Sequence, residues 1–238
     1  MRRAGSNALQ ARDGWRVPKL YTQQQASSVM SMLDFDAFER APLHHEPCDF
    51  IVVPGFIKPD ALEAINRDYP AIAEAGNFSS EAIACEGAFQ AMLDELGEPE
   101  TKQRFAAKFG MDLSDCPLEL TVRKYSKESD GNVHNDSKSK RLTALIYFNK
   151  EWHSPGGQLR ILRKPEDIND YVVEVPPVDG TLISFRRNEK SFHGFPPYVG
   201  ERRSIQFYWV KPERAVTRKR HKTGPSIWLK RLLKIRRR

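Results

Sequence analysis

A chain of 238 residues, of which 39% are hydrophobic and 10% aromatic, is long enough for one globular domain and too apolar for a disordered protein. The net charge of +7 is unevenly distributed, because residues 211–238 carry +11 and residues 1–20 carry +4, which leaves −8 on residues 21–210. Binding to an anionic partner is therefore expected of the two ends and not of the body of the chain.

The cysteines and the hydropathy exclude further classes of protein. Cys48, Cys85 and Cys116 are widely separated and form no CxxC pair, which argues against a disulfide framework and a zinc knuckle and is typical of a reducing compartment. No apolar run approaches the roughly 18 residues that a membrane-spanning helix needs. Residues 1–16 also lack the hydrophobic stretch of a secretory signal, so we expect a cytoplasmic protein.

Three segments are predicted along the chain: a polar N-terminal arm over residues 1–47, a domain over residues 48–212 and a basic tail over residues 213–238. The domain begins with a short apolar strand, which ends at a Pro-Gly turn. Apolar residues at helical spacing then predict helices, the first opened by a proline and the last closed by a glycine. The predicted strand covers 49–53, and the helices begin at Pro59 and cover 86–96 and 98–109.

After Pro117 the residue pattern changes. Short segments rich in β-branched and aromatic residues are separated by Gly, Pro, Asn and Asp, which predicts strands. Helices first and strands second indicate an α+β chain in which helices cover one face of a β sandwich or barrel. The predicted strands are 118–125, 142–148, 158–162, 171–175, 181–186 and 202–210.

His134 and Asp136 are the first candidates for a metal site. Side chains two residues apart on an extended segment point to the same face, so both can reach one metal ion. His193, just after a predicted strand, is the candidate third ligand. Two histidines and one carboxylate leave coordination positions open for a co-substrate and O₂, as in non-haem Fe(II) oxygenases. Zinc, which also takes three protein ligands and an open position, is the chemical rival.

The last predicted strand has two alternating rows of residues. Arg202, Ser204 and Gln206 form a polar row, whereas the residues between them are mostly apolar and would pack on the helices. An inward-facing arginine suits a dicarboxylate, because its guanidinium binds a carboxylate through two hydrogen bonds. Arg203 is the rival to Arg202, but its register would point Ile205 and the following aromatic residues into a polar site.

Several motifs in this order resemble the prolyl 4-hydroxylase-like branch of the Fe(II)/2-oxoglutarate-dependent dioxygenases. Tyr125 precedes His134 by nine residues, and a Tyr-Phe-Asn run is followed by Gly156-Gly157. An Asp-Gly-Thr strand leads to His193, and then comes a Gly-Glu-Arg-Arg-Ser run that begins at Gly200. The resemblance is good across residues 118–210 and loose across residues 49–117. It implies a double-stranded β-helix, or jelly roll, with the N-terminal helices packed on one sheet.

The resemblance also implies a role for single residues. His134, Asp136 and His193 would hold Fe(II), and Arg202 would bind the distal carboxylate of the co-substrate 2-oxoglutarate. Tyr125 would line the same pocket, although a purely structural aromatic residue is the alternative. Hypoxia-type members have a second tyrosine near the co-substrate, where this chain is expected to have Ile146, so Ser204 or Gln206 would serve instead. Ascorbate is a further candidate cofactor.

The function implied is hydroxylation of an unactivated C–H bond in a prolyl residue, amino acid or glycan, with release of succinate and CO₂. Beyond the metal ligands no catalytic side chain is expected. One alternative is a metal-binding jelly roll without catalytic activity. Another is a nucleic-acid demethylase of the AlkB kind, which this chain matches less well because it has Val210 and no arginine at the matching spacing. The substrate itself, a small molecule or a peptide, is left open.

The basic tail is the second informative feature of the sequence. Over residues 215–238, apolar Trp228, Leu229, Leu232 and Leu233 fall on one helical face, with Lys230 and other basic residues opposite. A basic amphipathic helix with tryptophan is typical of an anchor on an anionic membrane surface, here the inner face. A solvated charged tail and a nucleic-acid-binding segment are the alternatives.

Overall fold

The computed structural model describes residues 31–214 of the chain. Four α-helices and nine β-strands lie in this part, together with a 3-10 helix at Ser80–Ala82. The helices are α1 (Phe35–Arg40), α2 (Pro59–Arg67), α3 (Gly87–Gly97) and α4 (Pro99–Lys108). The strands are β1 (Phe50–Val53), β2 (Phe78–Ser79), β3 (Leu118–Ser126), β4 (Lys140–Tyr147), β5 (Leu159–Leu162), β6 (Tyr171–Val175), β7 (Leu182–Arg186), β8 (His193–Gly194) and β9 (Gly200–Val210).

Local sequence signals explain where the helices begin and end. Pro59 and Pro99 open α2 and α4, where a missing N–H costs nothing because the first turn has no partner for it. The side chain of Asp34 accepts a hydrogen bond from the backbone N–H of Ala37 and so caps α1. Gly110 follows α4 with φ +56°, a conformation that glycine adopts without strain.

The strands form two sheets that face each other. The larger has the order β1-β7-β4-β9-β3-β2 and the smaller the order β6-β5-β8, and every named pair is antiparallel. Strands that are distant in sequence lie side by side, which is the connectivity of a double-stranded β-helix. The predicted α+β jelly roll with helices on one sheet is confirmed.

Two apolar clusters lie on opposite faces of the larger sheet. The larger cluster joins the helices to the outer face of this sheet, where Phe105 of α4 contacts Phe207 and Trp209 of β9. The smaller cluster lies between the two sheets and includes Tyr147 and Ile161. The polar residues of β9 consequently face the space between the sheets, as the alternation predicted.

The N-terminal arm predicted over residues 1–47 joins the core from Leu33 onward. Leu33 and Phe38 are fully buried in the cluster between the helices and the sheet, and the ring of Phe38 contacts that of Phe105 at an angle of 45°, with ring centroids 4.5 Å apart. This part of the predicted arm therefore packs against the helices and the larger sheet of the domain. Between residues 31 and 214, no helix has the length and apolar character to cross a bilayer.

Candidate active site

His134, Asp136 and His193 come together at one end of the space between the sheets. His134 lies in the segment before β4 and His193 begins β8, and their backbones exchange two hydrogen bonds, each 3.0 Å long from N to O. One nitrogen of each histidine and one oxygen of Asp136 all lie within 4.8 Å of one another. The three residues singled out in the sequence therefore form one cluster.

The ring nitrogens of both histidines are oriented by the backbone. Nδ1 of His134 lies 2.9 Å from the carbonyl oxygen of Asn132, and Nδ1 of His193 lies 3.0 Å from that of Ser191. A carbonyl oxygen only accepts hydrogen bonds, so Nδ1 carries the proton in each ring and Nε2 keeps its lone pair. Carbonyls in this position fix the tautomer of metal-binding histidines.

The protonation states of the buried pair also suit a metal site. Burial lowers the pKa of His193 to about 4, so its imidazole is neutral at neutral pH. Burial acts to raise the pKa of Asp136, but His193, Lys140 and a hydrogen bond from Thr143 outweigh it, and the pKa lies below the ordinary value. Neutral imidazole and ionised carboxylate are the forms that bind a divalent cation.

Both oxygens of the Asp136 carboxylate are already held by donors. Lys140 Nζ lies 2.7 Å from Oδ1, and the Thr143 hydroxyl donates to Oδ2 over 2.6 Å. These contacts set the orientation of the carboxylate. Two histidines and one oriented carboxylate fit Fe(II), whose oxygenases use this donor set.

A cavity of about 120 Å³ extends from the two histidines into the space between the sheets. It is smaller than the roughly 300–1,000 Å³ of sites for drug-sized ligands, so it suits a small molecule. Its walls combine charged, polar and apolar side chains. They are Asn77, Arg123, Gly131, His134, Leu145, Leu159, His193, Gly194, Phe195, Arg202, Ser204 and Gln206.

Arg202 is a buried cation in the wall of this cavity, with 2% of its surface exposed. Its Nε donates to the carbonyl of Gly157 over 2.7 Å, and its guanidinium carbon lies 4.1 Å from the centroid of the Phe195 ring. No carboxylate of residues 31–214 lies within ion-pair distance of it. Burial lowers the pKa of Arg202 because it disfavours the charge. A buried cation without a counter-ion is costly, and an anionic ligand would remove that cost.

The residue beside Arg202 on β4 is Tyr147, which corrects the prediction that Ile146 stands at this position. The Tyr147 hydroxyl lies 3.3 Å from Arg202 Nη2, whereas Ile146 is buried on the opposite face of the sheet, among the residues that contact the helices. Neighbouring residues of a strand point to opposite faces of the sheet. A motif alignment that is shifted by one residue therefore places Ile146 where Tyr147 belongs. Burial raises the pKa of Tyr147, which therefore keeps its proton as a donor for a ligand.

Gly157 holds the carbonyl that accepts from Arg202. It has φ +88°, and a Cβ built on it would lie 2.5 Å from Cζ2 of Trp152. Only glycine fits this position without a shift of the loop that carries the carbonyl. The Gly-Gly run noted in the sequence is therefore part of the support for Arg202.

Tyr125 is half-buried at the end of β3. An irregularity in the β3–β9 register lies between Arg123 and Tyr125 and places Tyr125 opposite Glu201. Tyr125 does not belong to the walls of the cavity, whereas Arg123 does. Its contact with a co-substrate stays a prediction, and Arg123 is a cavity residue that the sequence pattern did not reveal.

Known proteins resemble this chain in sequence over part of its length and in fold. Residues 120–211 match the family described as the 2OG-Fe(II) oxygenase superfamily. A prolyl-4-hydroxylase from Pseudomonas putida is similar in structure, with 18% identity, a TM-score of 0.52 and coverage of 70% of this chain and 95% of that chain. A prolyl hydroxylase from Trichoplax adhaerens shares 15% identity, with a TM-score of 0.46 and coverage of 72% and 88%. No curated protein sequence matches the chain.

Proposed function

We propose that this chain, whose residues 120–211 match the family described as the 2OG-Fe(II) oxygenase superfamily, is an oxygenase of that kind and hydroxylates a C–H bond of a small molecule or peptide. O₂ and 2-oxoglutarate are consumed, and succinate and CO₂ are released. The observation that carries this proposal is one small cavity whose walls include both histidines of the two-histidine, one-carboxylate cluster and a buried arginine that has no counter-ion among residues 31–214.

The residues of the site would have separate roles in binding the metal, binding the co-substrate and excluding water. His134, Asp136 and His193 would hold Fe(II), which when bound supplies the redox chemistry that activates O₂. Arg202 would bind the distal carboxylate of 2-oxoglutarate through its guanidinium, and Tyr147 would donate its hydroxyl proton to the same group. Leu145, Leu159 and Phe195 would exclude water from the reacting atoms.

The test is the formation of the metal and co-substrate complex without oxygen. The purified protein, loaded anaerobically with Fe(II) and 2-oxoglutarate, should show the weak visible charge-transfer band of the chelate. We expect His134→Ala and Asp136→Ala to abolish the band. His153→Ala is a matched control, because the side chain of His153 is 81% exposed on a loop and, among residues 31–214, forms an ion pair with Glu151 alone. An unchanged band in both site variants would contradict the assignment of these ligands.

The location of the protein is a separate proposal that rests on residues 215–238, which lie outside the described part of the chain. We propose that this tail binds an anionic membrane surface on the cytoplasmic side. The support is its sequence alone: excess positive charge, with Trp228 and three leucines at helical spacing. Each basic residue near such a surface contributes about 1 kcal/mol, to which burial of the apolar side chains adds.

A further inference from the structure

Trp152 and Tyr198 form an aromatic pair that belongs to neither of the two apolar clusters described above. Their ring centroids lie 4.5 Å apart, and the ring planes meet at 54°. Trp152 lies on the loop between β4 and β5, and Tyr198 lies on the loop between β8 and β9. Both side chains line a surface cleft of about 450 Å³. The pair therefore joins two loops at the surface of the protein and is not part of either core.

The loop of Trp152 ends in a turn that contains Gly156 and Gly157, both of which are buried. Trp152 Nε1 donates to the carbonyl oxygen of Gly156 over 2.8 Å, and the N–H of Gly157 donates to the carbonyl oxygen of Pro196 over 3.0 Å. A Cβ on Gly156 would collide with the carbonyl oxygen of Pro197, just as one on Gly157 would collide with Trp152. The turn is therefore held between the indole on one side and the backbone of the two prolines on the other.

This turn carries the carbonyl that holds Arg202. The Gly157 carbonyl accepts from Arg202 Nε over 2.7 Å, whereas the contact between Arg202 Nη2 and the Tyr147 hydroxyl is longer, at 3.3 Å. Tyr198 supports the same region, because its hydroxyl donates over 3.2 Å to the carbonyl of Glu201, directly before Arg202. Glycine has more backbone freedom than other residues, so a carbonyl in a Gly-Gly turn keeps one direction only when its surroundings fix it. The aromatic pair supplies contacts that fix it.

We propose that Trp152 is a positioning residue for the co-substrate, because together with Tyr198 it holds the Gly157 carbonyl in place and so orients the guanidinium of Arg202. This inference rests on the proposed function, in which Arg202 binds the distal carboxylate of 2-oxoglutarate. A guanidinium binds a carboxylate best when two N–H groups meet the two oxygens, so a small rotation of the guanidinium weakens the contact. Trp152 is not in the walls of the cavity that Arg202 lines, so its effect on a ligand passes through the turn.

The experiment compares 2-oxoglutarate with 2-oxopentanoate, which has the same carbon chain and the same oxo acid end but no distal carboxylate. Binding of each compound to the Mn(II)-loaded protein is measured by calorimetry, and so is the affinity for Mn(II). The variant is Trp152→Phe, which keeps an aromatic ring and loses the indole N–H. Trp209→Phe is the matched control, because Trp209 is buried against the helices and its Nε1 has no hydrogen-bond partner among residues 31–214.

The expected result is a loss that depends on the distal carboxylate. Trp152→Phe should lower the affinity for 2-oxoglutarate by roughly 3- to 10-fold, the effect of one lost hydrogen bond, and leave the affinities for 2-oxopentanoate and Mn(II) within about twofold. Added to Arg202→Met, the same substitution should change the affinity for 2-oxoglutarate by less than about twofold, because residues that act through one contact are not additive. Trp209→Phe should keep the wild-type ratio of the two oxo acid affinities, even where its Tm is lower.

Three results overturn the inference while the proposed function stands. Equal losses of affinity for the two oxo acids would mean that Trp152 acts on the whole site and not through Arg202. An unchanged affinity for 2-oxoglutarate in Trp152→Phe would mean that the turn keeps its place without the indole N–H. A loss in Trp209→Phe as large as that in Trp152→Phe would mean that lower stability alone weakens binding. A wild-type protein that binds neither Mn(II) nor 2-oxoglutarate contradicts the proposed function, and this inference with it.

Discussion

Replacement of Arg202 by methionine should separate the binding of 2-oxoglutarate from the stability of the fold. Methionine fills most of the space of the arginine side chain but carries no charge. A charge-assisted contact in a cavity shielded from water is worth about 2–4 kcal/mol, so we expect the affinity for 2-oxoglutarate to fall by roughly 30- to 1,000-fold. Calorimetry on the Mn(II)-loaded protein measures this directly.

The stability of the ligand-free protein should change little in the same variant. Loss of the hydrogen bonds from Arg202 to Gly157 and Tyr147 costs about 0.5–1.5 kcal/mol each. Removal of a buried charge that has no counter-ion among residues 31–214 offsets this cost. We therefore expect a net change within about 1 kcal/mol, which corresponds to roughly 2–4 °C in Tm for a domain of this size.

Arg203→Ala is the matched control, one position along the same strand. Arg203 pairs with Glu201 on the outer face of the sheet, where its side chain is 27% exposed, so its loss should leave the affinity for 2-oxoglutarate within about twofold. The reasoning is refuted if Arg202→Met binds 2-oxoglutarate like the wild type. It is refuted as well if Arg203→Ala weakens binding to the same extent.

Three further substitutions or deletions have defined outcomes. Tyr147→Phe removes one hydrogen-bond donor, so the affinity for 2-oxoglutarate should fall by roughly 3- to 10-fold in calorimetry, and an unchanged value would exclude contact with the hydroxyl. Thr143→Val leaves Asp136 Oδ2 without its donor, and competition with a chelator should show metal affinity lower by about 10- to 100-fold; equal affinity would mean that Thr143 does not orient the ligand. The full chain should sediment with anionic liposomes, and salt should weaken this binding. Deletion of residues 215–238 should abolish the sedimentation and leave the turnover of the enzyme nearly unchanged. If the full chain ignores liposomes and binds RNA, the nucleic-acid alternative is favoured.

A strand of this domain could be predicted in detail from the sequence where one of its faces is apolar and the other is polar. In β9, apolar residues face the helices and polar residues face the cavity, so the pattern itself indicates that Arg202 points inward. In β4 the same reasoning fails. Both faces of β4 are buried in apolar clusters, so Ile146 and Tyr147 belong to one continuous apolar run and alternation does not tell them apart.

Other parts of the site depend on contacts that no local pattern carries. Arg123, Asp130 and Asn77 come from separate segments and meet only in the folded chain. The position of Tyr125 depends on a register irregularity between β3 and β9, and the strand composition does not indicate where such irregularities occur. The burial of α1 was missed for a related reason, because six residues are too few to show a helical period.

The paired backbone hydrogen bonds between His134 and His193 affect how the protein is expected to persist in the cell when iron is scarce. They hold the two imidazoles side by side through the fold itself, so the ion is not needed to bring them together. In a zinc finger, by contrast, loss of the metal unfolds the chain and exposes it to proteases. Here we expect iron starvation to stop the reaction and spare the polypeptide. The idle protein would then recover its activity as soon as iron returns, without new synthesis.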